Sequence, residues 1–169
     1  YMGCRTRVMS DINDPDNEEV IGRGNLSFTS INLVRLGIKH GILNHEKPDF
    51  DSFFAELDHL LELTKEQLLE RYAIQCSKSV SNFKFLLGQG VWKNSKTLKP
   101  NDNLHKVYKH GSLAFGFIGL AECLKALIGS HHGESSEAQF LGLKIVRHMR
   151  EKADAYTLEH KLNFSLIAT

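Results

Sequence analysis

The chain has 169 residues, 41% of them hydrophobic and 24% charged, with a formal net charge of +1. This is enough for one domain with a real core, and the near-balanced charge gives no pull toward nucleic acid or an acidic membrane surface. No apolar run is long enough to span a bilayer, and no opening segment resembles a signal peptide. Three widely spaced cysteines, Cys4, Cys76 and Cys123, fit a reducing compartment rather than a disulfide framework, so a cytoplasmic protein is expected.

Both ends read as cut. The chain starts Tyr1-Met2-Gly3-Cys4 and stops at Thr169, within an apolar, strand-like run. Residues 5–10 look extended, and 11–19 read as a solvated polar turn. Asp11 and Asn13 suggest a calcium loop, but Asp16 stands where such a loop needs glycine and Gly22 where it needs glutamate. Residues 26–33 alternate apolar with small polar side chains and predict a strand. A short helix punctuated by Gly37 and Gly41 follows. From Asp49 to about Leu87, apolar residues such as Phe53, Leu57, Leu61, Leu68 and Tyr72 recur at three and four, predicting one long helix capped by Asp49 or Asp51. Residues 91–103 read as a lysine-rich loop. A strand over 112–117 runs into a helix over 120–128 that Gly129 closes. A polar loop with His131 and His132 leads to a helix over 135–160, with Leu141, Ile145, Met149 and Tyr156 on one face. A strand over 163–168 ends the chain. Strand, helices, strand, helices, strand is the order of an α/β domain with parallel pairing.

Several motifs carry little chemistry. The sequons at Asn25 and Asn163 fall on predicted strands and read as chance matches. The turn Ala114-Phe115-Gly116-Phe117-Ile118-Gly119 nearly matches a dinucleotide fingerprint but lacks its first glycine and a later acidic residue, so close packing explains its glycines better. His131 and His132 are adjacent and poor joint ligands, so no metal site is expected within the chain. Cys76 and Cys123 lie on helical stretches and read as buried small hydrophobes. His110 reads as a satisfied hydrogen-bonder beside a strand. Cys4, flanked by Gly3, Arg5 and Arg7, is divided between an ordinary cysteine and a thiolate nucleophile.

Four phrases shift that balance. Met2-Gly3-Cys4-Arg5-Thr6-Arg7-Val8 resembles the radical-cysteine loop of the class III anaerobic ribonucleotide reductases. Gly22-Arg23-Gly24-Asn25-Leu26-Ser27 with Ile31-Asn32-Leu33 resembles their next strand. His110-Gly111-Ser112-Leu113 with Gly116-Phe117-Ile118-Gly119-Leu120-Ala121-Glu122 resembles a third block. Asn163-Phe164-Ser165-Leu166-Ile167-Ala168-Thr169 is similar to the strand leading to the substrate-phosphate loop. The blocks keep the family's order and cover essentially the whole chain. One departure is visible, Val34 where family members commonly carry proline.

The resemblance implies that residues 1–169 are one segment of a ten-stranded α/β barrel threaded by a finger loop. It implies that Cys4 forms the hydrogen-abstracting thiyl radical and that Asn25 contacts the substrate ribose. Ala168 and Thr169 would lie at the edge of the phosphate loop. No cofactor is expected within this segment. The parent is expected to use a glycyl radical, installed by a radical-SAM activating enzyme, and a structural zinc. Its implied partners are ribonucleoside triphosphate substrates, the effectors ATP and dNTPs, formate or a small redox protein as reductant, and a second copy in a homodimer; no nucleic acid or membrane partner is expected. Two alternatives stay open: a non-catalytic nucleotide-binding module built on the 114–119 turn, and another glycyl radical enzyme. Pyruvate formate-lyase uses two adjacent cysteines, whereas Cys4 is followed by Arg5, which disfavours that branch.

Overall fold

A computed structural model of the chain describes residues 8, 10–17 and 19–168. Among them the elements are β1 (Asn25–Asn32), α1 (Leu33–His40), α2 (Phe50–Cys76), α3 (Lys84–Gly88), α4 (His105–Tyr108), β2 (Ser112–Ile118), α5 (Leu120–Ile128), α6 (Ser136–His160) and β3 (Asn163–Ala168). The three strands form one parallel sheet in the order β1-β2-β3. This is the α/β class the alternation of elements predicts. The extended stretch expected over 5–10 falls almost wholly outside the described residues.

Local chemistry sets most of the boundaries. Asn32 ends β1 and caps α1, its Oδ1 accepting from the Arg35 amide at 3.3 Å. Val34, which replaces the commoner proline, therefore lies inside an intact first turn. Asp49 caps α2 by accepting from the Ser52 amide at 3.0 Å, and Ser135 caps α6 by accepting from the Ala138 amide at 3.1 Å. Gly129, at φ 85°, closes α5 through a bond from its amide to the Lys125 carbonyl.

The helix expected from Asp49 to Leu87 stops at Cys76 instead. The cause is a run of serines and an asparagine that offer the backbone other partners. The Ser77 hydroxyl donates to the Ile74 carbonyl at 2.8 Å, and the Ser79 amide donates to Asn82 Oδ1 at 3.0 Å. A 3-10 turn, Val80–Phe83, and the short α3 follow. The loop expected over 91–103 also holds a 3-10 turn, Ser95–Thr97.

The chain divides into two compact units: residues 1–28, 65–114 and 154–165, and residues 29–64, 115–153 and 166–169. In the first, Leu87, Leu104 and Val107 form a small core with Phe83, Trp92 and Tyr108 against it. In the second, α1 meets α5 at unusually short range. A Cβ on Gly37 would lie 2.6 Å from the Cys123 carbonyl oxygen, and one on Gly41 would collide with the Ala126 carbonyl. Only glycine allows that approach.

The long helices bury the stripes their sequences predict. On α2 the buried positions are Phe53, Leu57, Leu61, Thr64, Leu68 and Tyr72, spaced by three and four. On α6, Leu141, Ile145, Met149 and Tyr156 are all buried. Each fully buried leucine contributes about 1.5–3 kcal/mol as an upper estimate. Strand β2 is buried from Ser112 to Phe117, as a central strand covered on both faces should be.

The turn at 114–119 is filled rather than open. Gly119 sits at φ 73°, and the Val34 side chain occupies the space its Cβ would take. The glycine serves close packing of β2 and α5 against α1.

Candidate functional site

Of the four residues the sequence nominates, Cys4 and Thr169 lie outside the described residues. Asn25 is the first residue of β1 and is half-buried. It follows Gly24, whose carbonyl accepts from the Ser112 amide at 2.9 Å, so the backbone beside Asn25 is fixed to the start of β2. Ala168 is the last residue of β3 and is exposed. Asn25 belongs to the first unit and Ala168 to the second.

The strongest polar cluster was not among those nominations. Asp11, Arg23, His110 and Asn163 gather in the first unit, and all four are buried. Arg23 lies two residues before β1, His110 two residues before β2, and Asn163 opens β3. Asp11 is only 1% exposed, which corrects the reading of 11–19 as a wholly solvated turn. Its side chain turns inward, and three charged or polar side chains meet it there. His110 Nδ1 lies 2.7 Å from Asp11 Oδ2, and Asn163 Nδ2 donates to Asp11 Oδ1 at 3.1 Å. Arg23 Nε stands 3.6 Å from Asp11 Oδ2 and donates to the His110 carbonyl at 2.8 Å.

The network is satisfied on its far sides too. Asn94 Nδ2 lies 2.9 Å from His110 Nε2. Both ring nitrogens of His110 therefore have partners, Asp11 at Nδ1 and Asn94 at Nε2. Asn163 Nδ2 also reaches the Gly111 carbonyl at 3.2 Å, while its Oδ1 accepts from the Ile12 amide at 2.8 Å. Asn13 Nδ2 donates to the Lys109 and Lys161 carbonyls, both at 3.0 Å. The segment 10–13 is thus pinned by side-chain bonds, although it forms no strand.

The electrostatics follow from this geometry. Burial works to raise the Asp11 carboxyl, but hydrogen bonds from His110, the Asn13 amide and Asn163, with the charge of Arg23, hold it below the ordinary value. Burial pulls the Arg23 guanidinium down against the attraction of Asp11 and Asp14, and it stays charged. One carboxylate and one guanidinium leave the cluster neutral, which is how buried charge is tolerated. The suspected calcium ligands Asp11 and Asn13 are therefore spent on protein partners. Among the described residues no group of three or more His, Cys, Asp or Glu gathers in a way that could hold a metal.

Cys123 is the buried small hydrophobe the sequence suggests, whereas Cys76 is not fully buried. Cys123 is buried, and burial pushes its thiol up to about 12. Cys76 is half-buried and also raised by burial, against a lowering bond from Tyr72. Neither is a poised thiolate. His110 is a satisfied hydrogen-bonder, as expected, with partners on both ring nitrogens.

Sequence signals for the cluster were present but mute. Asp11 sits in an acidic stretch, and Asn163 opens a family-like strand phrase and a sequon, neither of which points to a buried polar partner. No spacing rule links positions 11, 23, 110 and 163. A charged Arg23 between Gly22 and Gly24, next to a predicted strand, was the best available hint of a buried partner.

Comparison with known proteins places these residues in context. The family model for anaerobic ribonucleoside-triphosphate reductase matches residues 1–169. The anaerobic ribonucleoside-triphosphate reductase of Salmonella typhimurium is 29% identical over 171 residues, covering 99% of this chain and 23% of the relative. The Escherichia coli protein of that name is 28% identical with the same coverage. That of Enterobacteria phage T4 is 27% identical over 174 residues, covering 99% of this chain and 26% of its own length. The chain spans about a quarter of the length of these curated relatives. With its family model matched from end to end, the chain belongs to the anaerobic ribonucleoside-triphosphate reductase family.

Proposed function

We propose that this chain supplies the radical-cysteine segment of an enzyme that reduces ribonucleoside triphosphates to 2′-deoxyribonucleoside triphosphates without oxygen. The family match over residues 1–169 carries the reading, because the matched range takes in both the Cys4 and the Asn25 blocks. On this reading residues 1–169 are one segment of a ten-stranded α/β barrel, and β1, β2 and β3 are three of its parallel strands.

Cys4 acts as the hydrogen abstractor. Its thiyl takes a hydrogen atom from the ribose, so an S–H bond forms as a C–H bond breaks. The 2′-hydroxyl then leaves as water with one added proton. Two electrons and a further proton from formate or a small redox protein reduce the 2′-carbon, and Cys4 gives its hydrogen atom back to the ribose, restoring the thiyl. Asn25 contacts the ribose and orients it toward Cys4. Orientation matters greatly here, because a reacting pair held in near-attack geometry gains several orders of magnitude in rate. Ala168 and Thr169 border the substrate phosphates. Arg5 and Arg7 anchor the loop, since hydrogen abstraction does not call for a thiolate.

The glycyl radical, installed by a radical-SAM activating enzyme, supplies the oxidising equivalent that converts the Cys4 thiol to its thiyl. A structural zinc belongs to the whole enzyme on this reading. The enzyme works as a cytoplasmic homodimer, and ATP and dNTPs tune it allosterically. Among the described residues no helix is long and apolar enough to cross a membrane.

The test is turnover by the full-length, activated protein. Cys4→Ala and Cys4→Ser are expected to abolish deoxyribonucleotide formation while the glycyl radical still forms, read by electron paramagnetic resonance. Asn25→Ala is expected to lower kcat/KM by about 10- to 100-fold, the worth of one or two lost polar contacts. Persistent turnover in the Cys4 variants would sink the proposal.

A further inference from the structure

The buried cluster of the first unit has no part in the chemistry just described, yet its position bears on it. Three of its members stand at the opening ends of three different strands, and the fourth, Asp11, lies seven residues after Cys4. We propose that Asp11, Arg23, His110 and Asn163 are positioning residues for Cys4, fixing the outgoing end of its loop against the starts of β1, β2 and β3. The inference rests on the functional reading above.

Three observations carry it. First, the pinning is dense. Over four consecutive residues, Ser10 to Asn13, the carbonyl of Ser10 accepts from Arg23 Nη2 at 3.4 Å, Asp11 is bound by His110 and Asn163, the Ile12 amide donates to Asn163, and the Asn13 side chain donates to two carbonyls. Second, this segment is in no strand, so sheet hydrogen bonds do not set its register. A single side chain, Asn163, reads both its backbone and its Asp11 carboxylate. Third, the chosen chemistry is directional. A well-packed apolar set of similar volume can be as stable as a buried ion pair, but it does not fix one arrangement through defined bonds. Seven residues reach at most about 25 Å when extended. Cys4 is therefore within that reach of the pinned segment.

The same cluster also ties to Asn25. Arg23 precedes Asn25 by two residues and is bonded to the His110 carbonyl. The Gly24 carbonyl is bonded to the Ser112 amide just beyond. The radical cysteine's tether and the ribose-contacting strand are thereby referenced to one set of buried groups, all within the first unit.

The experiment uses full-length protein activated anaerobically, with turnover expressed per glycyl radical. His110→Ala and Asn163→Ala are expected to lower kcat by about 100-fold, the scale of a displacement near 1 Å at reacting atoms. Radical yield and KM for the ribonucleotide are expected to stay within about twofold of wild type, the uniform-binding contribution being untouched. His110→Asn, whose side-chain amide can stand where Nδ1 meets Asp11, is expected to recover at least a tenth of the wild-type kcat. A merely structural role would instead move the melting temperature and leave kcat per radical unchanged in both alanine variants, which overturns the proposal. Equal kcat in His110→Asn and His110→Ala also overturns it. If His110→Ala yields no soluble protein, Asn163→Ser is judged by the same kcat criterion. Cys4→Ala runs alongside: turnover there defeats the functional reading itself, whereas a dead Cys4→Ala beside fully active cluster variants defeats only this inference.

Discussion

The first unit ties down its strand ends with charge, and the second brings two helices together by shape. Around Asp11, four buried polar residues from distant parts of the chain exchange short, directional bonds. Between α1 and α5, Gly37 and Gly41 let one backbone rest on the other, with Cys123 and Ala126 beneath. Both arrangements bury their groups, but they fail differently. Removing one member of the polar cluster leaves its partners charged or unsatisfied in a dry setting. Adding one methyl to the helix pair forces backbone apart. The first arrangement specifies direction, and the second specifies only distance. A protein that must hold a reactive loop in one register has a use for the first kind.

The largest effect is expected at Asp11. Asp11→Ala leaves Arg23 and His110 without their carboxylate, and the loss should be about 3–5 kcal/mol in a denaturant melt of the full-length protein. A loss under 1 kcal/mol would mean that water reaches the cluster and that its burial counts for little. Gly37→Ala comes next. Alanine gains about 1 kcal/mol in helix propensity over glycine. Overpacking against the Cys123 backbone works the other way by about 1–3 kcal/mol. A net loss is expected, and a stabilised Gly37→Ala would show that α1 and α5 separate freely.

Acid should separate the two arrangements further. The Asp11 carboxyl sits below its unfolded value in the folded chain. Its contribution is therefore complete above about pH 4, the unfolded value, and is lost as pH falls through the folded value. Asp11→Asn should flatten that part of the stability profile below about pH 4. The contact of Gly37 with the Cys123 backbone involves no titrating group, so Gly37→Ala should shift the whole profile down without changing its shape. A Gly37→Ala curve that changes shape in acid would contradict this division.

These two regions were unequally legible in the sequence. Strand β1 and the buried stripes of α2 and α6 follow from periodicity, and β2 and β3 from short apolar runs, because both signals are local. The end of α2 at Cys76 was misjudged because Phe83 and Leu87 keep an apolar rhythm past the serines that break the helix. Gly37 and Gly41 looked like helix punctuation, and only the structure shows that Gly37 lies within α1 as a contact. The polar cluster was invisible for a different reason. Asp11 and Asn163 are separated by 152 residues, and a hydrogen bond of that span leaves no local periodicity. Cys4 and Asn25, by contrast, were found through resemblance to a family, which needs no folded geometry at all.

The smallest effect, and the most informative about how far the two units are coupled, concerns the thiols. With Cys123 pushed up to about 12 by burial, only about one part in ten thousand is thiolate at pH 8, against about a quarter for a free cysteine. Alkylation of Cys123 must then proceed through opening of the second unit, whereas half-buried Cys76 reports on the first. Peptide-resolved mass spectrometry of iodoacetamide-treated full-length protein should show Cys76 modified well before Cys123. Asp11→Ala should quicken Cys76 more than Cys123, and Gly37→Ala should do the reverse. If both variants accelerate both cysteines equally, the units open together and the polar cluster and the helix pair guard one cooperative structure. If the responses stay separate, charge and shape each hold their own part of the chain, and the cluster behind Cys4 can be loosened without disturbing α1 and α5.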